Sequence, residues 1–509
     1  MTDPGGVRYL QLQETHCAGV LLVGDLALKF KKPVDLGFLD FRAVEARRDA
    51  CRREVALNRR FAPDVYRGVG TLQLPEGPAE PLVVMRRMPE DRRLSTLVHA
   101  GTDVRGDVRR LARQLAVVHA DSPRRPEIDL EASPDRLRGR WEQSFGQVRR
   151  HVRAVRRPEV LDEVERLVRQ FLDGRRALLR ARVVDGCAVD GHGDLLADDI
   201  FYLHDGPRAL DCLEFDDRLR YVDRLDDACF LAMDLERLGK RELAADFVDA
   251  YAEYAGDNAP PSLVHHYVAY RAFVRAKVAC LRSDQGVRAE DLVEDHLELA
   301  ARHLRAGAVT LALVGGPPGS GKTTIAGGLA DRSGAVLLSA DRVRKELAGL
   351  DPGASAAAGY GGGIYSAEYT RRTYAELVRR ADALLTMGES VVLDATWSAA
   401  QWRQAAREMA QRTHSDIVEL ACSCDPDTTL RRVARRTNAP TAGSPARSDA
   451  GVLVATAMRR EADPRPEAST LDTTGPCADS VQQAVDLLRT APAARPLCPQ
   501  GRRTFVLPD

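Results

Sequence analysis

Lysine is scarce in this chain. Of the 74 Lys and Arg side chains among 509 residues, seven are lysine: Lys29, Lys31, Lys32, Lys240, Lys277, Lys322 and Lys345. With arginine as the default cation, a retained lysine marks a place that wants a compact ammonium rather than a planar fork. Lys322 is one such place, and the cluster Lys29, Lys31 and Lys32 is another. No 18-residue apolar span occurs, which speaks against a membrane-spanning helix. No charged-then-apolar leader opens the sequence, so a cytoplasmic protein is expected. CxxC pairs are absent. The ten cysteines are scattered, Cys422 and Cys424 being the one close pair, and buried free thiols are expected in place of disulfides or a metal site. Net charge is +0, which offers no general attraction to nucleic acid or to a membrane surface.

What remains is a globular composition, 44% hydrophobic and 29% charged, long enough for roughly two to four domains. From about residue 7 to 35 the chain reads as a β-hairpin, and 41–61 reads as a charged helix. Another strand is expected at 81–85, helices dominate 104–182, short strands follow near 183–189, 200–203 and 209–215, and helices return over 226–305. After 309 strands and helices alternate, the pattern of a parallel sheet covered on both faces. These readings divide the chain into 1–306 and 309–509. The glycine- and alanine-rich stretch 349–363 reads as a mobile loop, and the tail from Ala491 as irregular.

The strongest local signal is Gly316-Pro317-Pro318-Gly319-Ser320-Gly321-Lys322-Thr323, followed by Thr324. It matches G-x-x-x-x-G-K-[ST], follows the apolar run 309–314 and opens a helical run. Glycines let successive backbone N–H groups curl around phosphates, and the helix N-terminus adds partial positive charge. Lys322 would reach the β- and γ-phosphates of ATP, and Thr323 would hold Mg²⁺.

Further features of this half point beyond nucleotide binding to phosphoryl transfer. Asp341 follows the second strand, at the carboxyl end of the sheet, where it would orient or deprotonate an acceptor hydroxyl. Arg344, three residues on, would hold an anionic group of the substrate. Asp394 ends the buried strand 391–393 and would bind Mg²⁺ directly or through water. Arg432 and Arg436 share one helix face and are candidate lid arginines for the ATP phosphates.

The segment Gly191-His192-Gly193-Asp194-Leu195-Leu196-Ala197-Asp198-Asp199 resembles the catalytic loop of aminoglycoside phosphotransferase-like kinases. The helix ending at His119 and the segment 210–216 resemble the elements around that loop. The resemblance implies that Asp194 positions or deprotonates an acceptor hydroxyl. It implies that Asp199 and Glu214, or Asp211 in place of Glu214, bind Mg²⁺, and that Lys29, paired with Glu54, contacts the ATP phosphates. Asp199 stands where the family has asparagine, and no clear glycine-rich lid precedes Lys29.

The C-terminal half resembles P-loop small-molecule kinases of the gluconate-kinase and zeta-toxin kind. The whole chain resembles the bacterial family of bifunctional aminoglycoside phosphotransferase and ATP-binding proteins. The implied fold is an α+β protein-kinase-like N-terminal domain followed by an α/β P-loop NTPase domain with a parallel sheet. The implied function is an ATP- and Mg²⁺-dependent phosphotransferase with two kinase-type sites for small-molecule hydroxyl acceptors. The alternatives are a single active P-loop kinase whose N-terminal domain binds or senses, and a non-enzymatic ATP switch.

Overall fold

Side chains alternate across a strand, so positions two apart share a face. Five short strands use this rule to build the first sheet, in the order Leu10–Glu14, Ala18–Val23, Leu26–Lys31, Glu80–Arg86 and Tyr66–Leu72, each antiparallel to its neighbours. Gly24, at φ 54°, supplies the left-handed residue that the tight turn between the second and third strands needs. The face of Leu26–Lys31 that carries Ala27 packs on Cys51 and Val55 of the helix Val44–Asn58. The same face carries Lys29 and Lys31, and both lysines meet Glu54 of that helix.

The computed structural model describes residues 10–14, 18–34, 40–73, 79–151, 155–284, 289–351, 362–437 and 462–490. Most of the expected mobile loop, 352–361, and the tail from Ala491 lie outside the described residues.

Below the first sheet the chain is mainly helical. The helix Arg224–Arg237 is buried without interruption from Leu225 to Leu235, although Asp226, Asp227 and Asp234 lie within that run. The helix Arg105–Ala120 packs against it and against Arg241–Ala255. Two small antiparallel ribbons, Ala188–Asp190 with Tyr221–Asp223 and Ile200–Leu203 with Gly206–Ala209, frame the loop that carries Asp194. The strand expected over 209–215 ends at Ala209, because Asp211 takes a left-handed conformation (φ 63°) that a ladder does not accommodate. The strand expected near 183–189 begins only at Ala188, since the helix Arg176–Val184 runs through the earlier part.

The second sheet is parallel throughout, in the order Val336–Ser339, Val391–Asp394, Thr310–Gly315, Asp416–Ser423 and Ser469–Asp472. Every residue of Thr310–Gly315 is buried, as a central strand covered on both faces requires. Leu311 and Leu313 join one core with Leu377 and Leu385 of the helix Ala367–Thr386 and with Met409 of Ala400–Arg412. Ala312 and Val314 join the other with Ile325 and Leu329 of Lys322–Ser333 and with Val481 and Val485 of Cys477–Thr490. The second strand in sequence lies at one edge and the third beside the first, so connections diverge where Thr310–Gly315 meets Val391–Asp394. In open α/β sheets ligands bind at such a point, beyond the carboxyl ends of the strands.

The chain forms two compact units. The first comprises 1–156, 180–258 and 267–300, and the second comprises 157–179, 259–266 and 301–509. Three segments that precede the expected boundary at 306–309, including the helix Pro158–Gly174, thus belong with the second unit. The eight cysteines among the described residues are free thiols, and all but Cys477 are buried.

Candidate functional site

In the second unit the loop Gly316–Gly321 joins the central strand to the helix Lys322–Ser333. Gly319 (φ 84°) and Gly321 (φ 83°) adopt the left-handed region, and Gly321 caps the helix N-terminus. A Cβ on Gly319 would lie 2.9 Å from both Thr429 Cγ2 and Val433 Cγ2, so the loop is also packed from below. Ser320 N donates to Pro317 O at 3.2 Å, and Thr324 N to Gly321 O at 3.0 Å, closing the turn at either end of the loop. Thr473 Oγ1 donates to Ser320 O at 2.6 Å, and Arg432 Nη2 donates to Thr473 O at 2.8 Å. Arg432 therefore braces the loop through Thr473. The side chain of Arg436, in the helix Pro426–Thr437, lies outside the described residues.

Asp394 ends its strand in register with Val314, one residue before the strand end at Gly315, and is buried. Desolvation raises its carboxyl pKa, Asp341 adds to the rise, and Lys322, the Thr323 hydroxyl and Ser339 oppose it. Asp394 Oδ1 is buried without a hydrogen-bond donor among the described residues. A divalent cation suits this place: one hard carboxylate, one exposed threonine hydroxyl and room for phosphate oxygens make the sparse protein set that Mg²⁺ prefers. Asp341 is held by Lys345 Nζ at 3.1 Å and by the Tyr365 hydroxyl at 3.3 Å. The Arg344 guanidinium lies 4.9 Å over the Tyr365 ring. Lys345, though buried, was not a sequence candidate; as one of seven lysines it carried the same signal as Lys322.

In the first unit Lys29 Nζ lies 2.8 Å from Glu54 Oε1 and 2.5 Å from Asp211 Oδ1. Lys31 takes the other Glu54 oxygen at 2.7 Å and also pairs with Glu214. Glu214, expected to bind metal, is thus engaged by Lys31, and Asp211 stands beside Lys29 instead. The left-handed backbone of Asp211, with its N–H donating to the Tyr66 hydroxyl at 3.1 Å, turns its carboxylate that way. Lys29 is the main cause that holds the Asp211 carboxyl below the usual range. Desolvation, then the charges of Asp211 and Asp194, push the Asp199 carboxyl well above it. Asp194, Asp199, Asp211 and Lys29 therefore form one electrostatic neighbourhood with more negative than positive charge, which a divalent cation would relieve.

Desolvation pushes the Asp194 carboxyl up to about 6; Arg275, 3.7 Å away, opposes the rise and Asp211 adds to it. The loop itself hangs on a residue the sequence reading missed. Asp227 accepts from His192 N and Gly193 N, each at 2.8 Å, and contacts His119 Nε2 at 3.0 Å. Its signal was an acidic pair, Asp226-Asp227, at the start of a largely apolar run. His192 is buried, and desolvation takes its imidazole down to about 4, so it is neutral at pH 7 and braces the loop. His119 shares a buried hydrogen bond with the Tyr251 hydroxyl and is likewise structural.

These two constructions define the class: a protein-kinase-like module followed by a P-loop NTPase module. A family model described as an AAA domain matches residues 311–464. A protein of Mycobacterium tuberculosis (strain H37Rv), named as an uncharacterized protein, is 43% identical over 486 residues, 95% of this chain and 96% of the relative. A Mycobacterium bovis protein matches with the same figures. The chain belongs to the family of these mycobacterial proteins.

Among solved structures, a choline/ethanolamine kinase family protein from Mesorhizobium loti is similar at 16% identity and TM-score 0.32, over 59% of this chain and 95% of that one. A gluconokinase from Sinorhizobium meliloti is similar at 16% identity and TM-score 0.26, over 36% of this chain and 95% of that one. The Mycobacterium tuberculosis APS kinase in complex with AMPPNP and APS is similar at 21% identity and TM-score 0.26, over 36% of this chain and 98% of that one.

Proposed function

We propose that the second unit transfers the γ-phosphoryl group of ATP to a hydroxyl of a small molecule, and that the first unit is a second kinase-type site. The observation that carries the reading is the meeting of Lys322, Thr323, Asp394 and Asp341 at the carboxyl end of one parallel sheet. In this reading the loop N–H groups and Lys322 hold the phosphates, while Thr323 and Asp394 hold Mg²⁺, which neutralises charge on the transferring group. Asp341, fixed by Lys345 and Tyr365, takes the proton of the acceptor hydroxyl as its oxygen bonds to phosphorus and the bond to the ADP oxygen breaks.

In the first unit, Lys29 positioned by Glu54 contacts the nucleotide, Asp199 and Asp211 hold the metal, and Asp194 faces the acceptor. One observation favours a binding or sensing role there instead. Asp199 adds a third carboxylate to Asp194 and Asp211, and that charge repels ATP unless metal is bound.

The test is transfer of labelled γ-phosphate from ATP into a fractionated bacterial metabolite extract, for wild type, Lys322→Ala and Asp194→Ala. Separate products lost with each variant support two sites. Loss with Lys322→Ala alone reduces the first unit to a binding module. ATP binding without any product favours the nucleotide switch.

A further inference from the structure

We infer that the acceptor of the second unit carries an oxyanion group (carboxylate, phosphate or sulfate) held by Arg344 and Arg465 beside Tyr374. The inference rests on the phosphoryl-transfer reading of that unit.

Arg344 lies one helical turn beyond Asp341 on the helix Ala340–Leu347. The cations around it are matched: Arg342 with Glu346 at 3.0 Å, Lys345 with Asp341 at 3.1 Å, and Arg380 with Glu346 and Glu376 at 2.7 Å each. Among the described residues no carboxylate pairs with Arg344. Its planar group is fixed 4.9 Å over the Tyr365 ring, and its Nε is buried without a hydrogen-bond acceptor. A buried guanidinium donor with no acceptor is costly unless something else supplies one.

Arg465 repeats the pattern. Its Nη2 donates to Thr396 O at 2.6 Å, and no carboxylate pairs with it among the described residues. The nearby acids are spent on Arg407, which takes Glu419 at 2.6 Å and Glu467 at 3.0 Å. Desolvation, followed by repulsion from Arg403, takes Arg465 below the ordinary arginine range, as expected of an under-compensated cation.

Tyr374 links the two. Its hydroxyl shares a hydrogen bond with Thr396 Oγ1 at 3.1 Å, accepts from Trp397 N at 3.1 Å, and lies in the field of both Arg344 and Arg465. Trp402 stacks on the Tyr374 ring at 5.0 Å and 8°, making its position rigid. Thr396, which holds Arg465, is two residues past Asp394, and Arg344 is three residues past Asp341, so each guanidinium is tied to a residue of the reacting centre.

The nucleotide does not account for Arg344. Its helix follows the edge strand Val336–Ser339, two strands away from the one that feeds the phosphate loop. Forked guanidinium groups bind planar or tetrahedral oxyanions through paired N–H donors.

The experiment uses the full chain saturated with Mg²⁺ and AMPPNP, so that the phosphate loop is filled. Sodium sulfate is titrated against an equal-ionic-strength chloride control, and the fluorescence of Trp397 and Trp402, which flank Tyr374, is read. A saturable sulfate response is expected. Arg344→Gln and Arg465→Gln should each weaken it by about tenfold or more, Arg344→Lys should weaken it less, and Arg342→Gln should leave it unchanged. A thermal melt reports that each variant is folded. Bound AMPPNP with no saturable sulfate response overturns the inference and leaves the phosphoryl-transfer reading intact. Variants that weaken AMPPNP rather than sulfate assign the two arginines to the nucleotide and also overturn it. Wild-type protein that fails to bind AMPPNP sinks the underlying reading first.

Discussion

Lys31 stands 2.7 Å from the buried Glu54 carboxylate, on the oxygen that Lys29 does not use. One acid is thus shared by two ammonium groups two positions apart on a strand, and Lys31 secures Glu214 as well. Lys31→Met leaves Glu54 and Glu214 undercompensated and should destabilise the first unit by about 3 kcal/mol. Lys29→Met leaves Lys31 in place, should cost less, and should abolish nucleotide contact in that unit. Denaturant melts with nucleotide titration check both, and equal losses of stability would refute the division of labour.

Asp227 should matter to stability and to the Asp194 loop together. Asp227→Asn turns an amide towards backbone N–H groups that need acceptors, at a cost of about 3 kcal/mol. Desolvation alone would raise the Asp227 carboxyl, but the hydrogen bond from His119 and, less strongly, the charge of Arg271 hold it well below the usual range. A carboxyl depressed in the folded state stabilises above its unfolded value of about 3.9 and loses that contribution as pH falls. Acid denaturation curves should therefore be steeper for wild type than for Asp227→Asn.

Any transfer by the first unit should fail on the acid side near pH 6. Asp194 must be ionised to accept a proton, and its carboxyl sits at about 6. Below that value kcat/KM should fall about tenfold per pH unit. Arg275 opposes the rise, so Arg275→Ala should move the acidic limb to higher pH, by a modest amount because Asp194 is 40% exposed. A limb that moves down, or not at all, would remove Asp194 from the proton-accepting role.

Gly319→Ala should damage nucleotide binding without unfolding the second unit. The new methyl meets both a left-handed φ of 84° and side chains at 2.9 Å, so the loop must shift. ATP affinity is expected to fall about tenfold or more, with a strain cost of about 1–3 kcal/mol. Calorimetric titration beside a thermal melt separates the two effects.

Asp394→Asn should lower turnover by about 10²-fold through loss of charge at the cation, while nucleotide affinity in the absence of Mg²⁺ stays near wild type. Chelation should reduce wild type to the level of the variant. Substantial Mg²⁺-dependent turnover in Asp394→Asn would place the metal elsewhere.

Much of this organisation was legible from local patterns. The loop at Gly316–Thr323 and the acid ending Val391–Asp394 were visible because a buried strand and a phosphate loop each leave contiguous signatures. The edge strands Tyr66–Leu72 and Ser469–Asp472 were missed because their many exposed positions leave little apolar alternation to read. That Lys29 meets Asp211 while Lys31 meets Glu214 depends on one backbone dihedral and on a second lysine reaching Glu54, neither of which spacing encodes. Asp227 and Arg465 escaped because their importance lies in what they contact across many residues, or in the partner that is missing. The units also interleave along the chain, which a single cut by composition cannot represent.

The bond from Thr473 to the Ser320 carbonyl spans 153 positions of sequence. On the ribosome, the phosphate loop is made long before the residue that braces it. At about 5–20 residues per second, the interval is roughly 8–30 s. A nascent second unit therefore carries an unbraced loop through most of its synthesis, and nucleotide can find a finished cradle only once the edge strand has joined the sheet. Nucleotide binding by this unit would accordingly be a late event in the biogenesis of the chain, and a bound nucleotide would reward complete over incomplete folding of the unit that holds it.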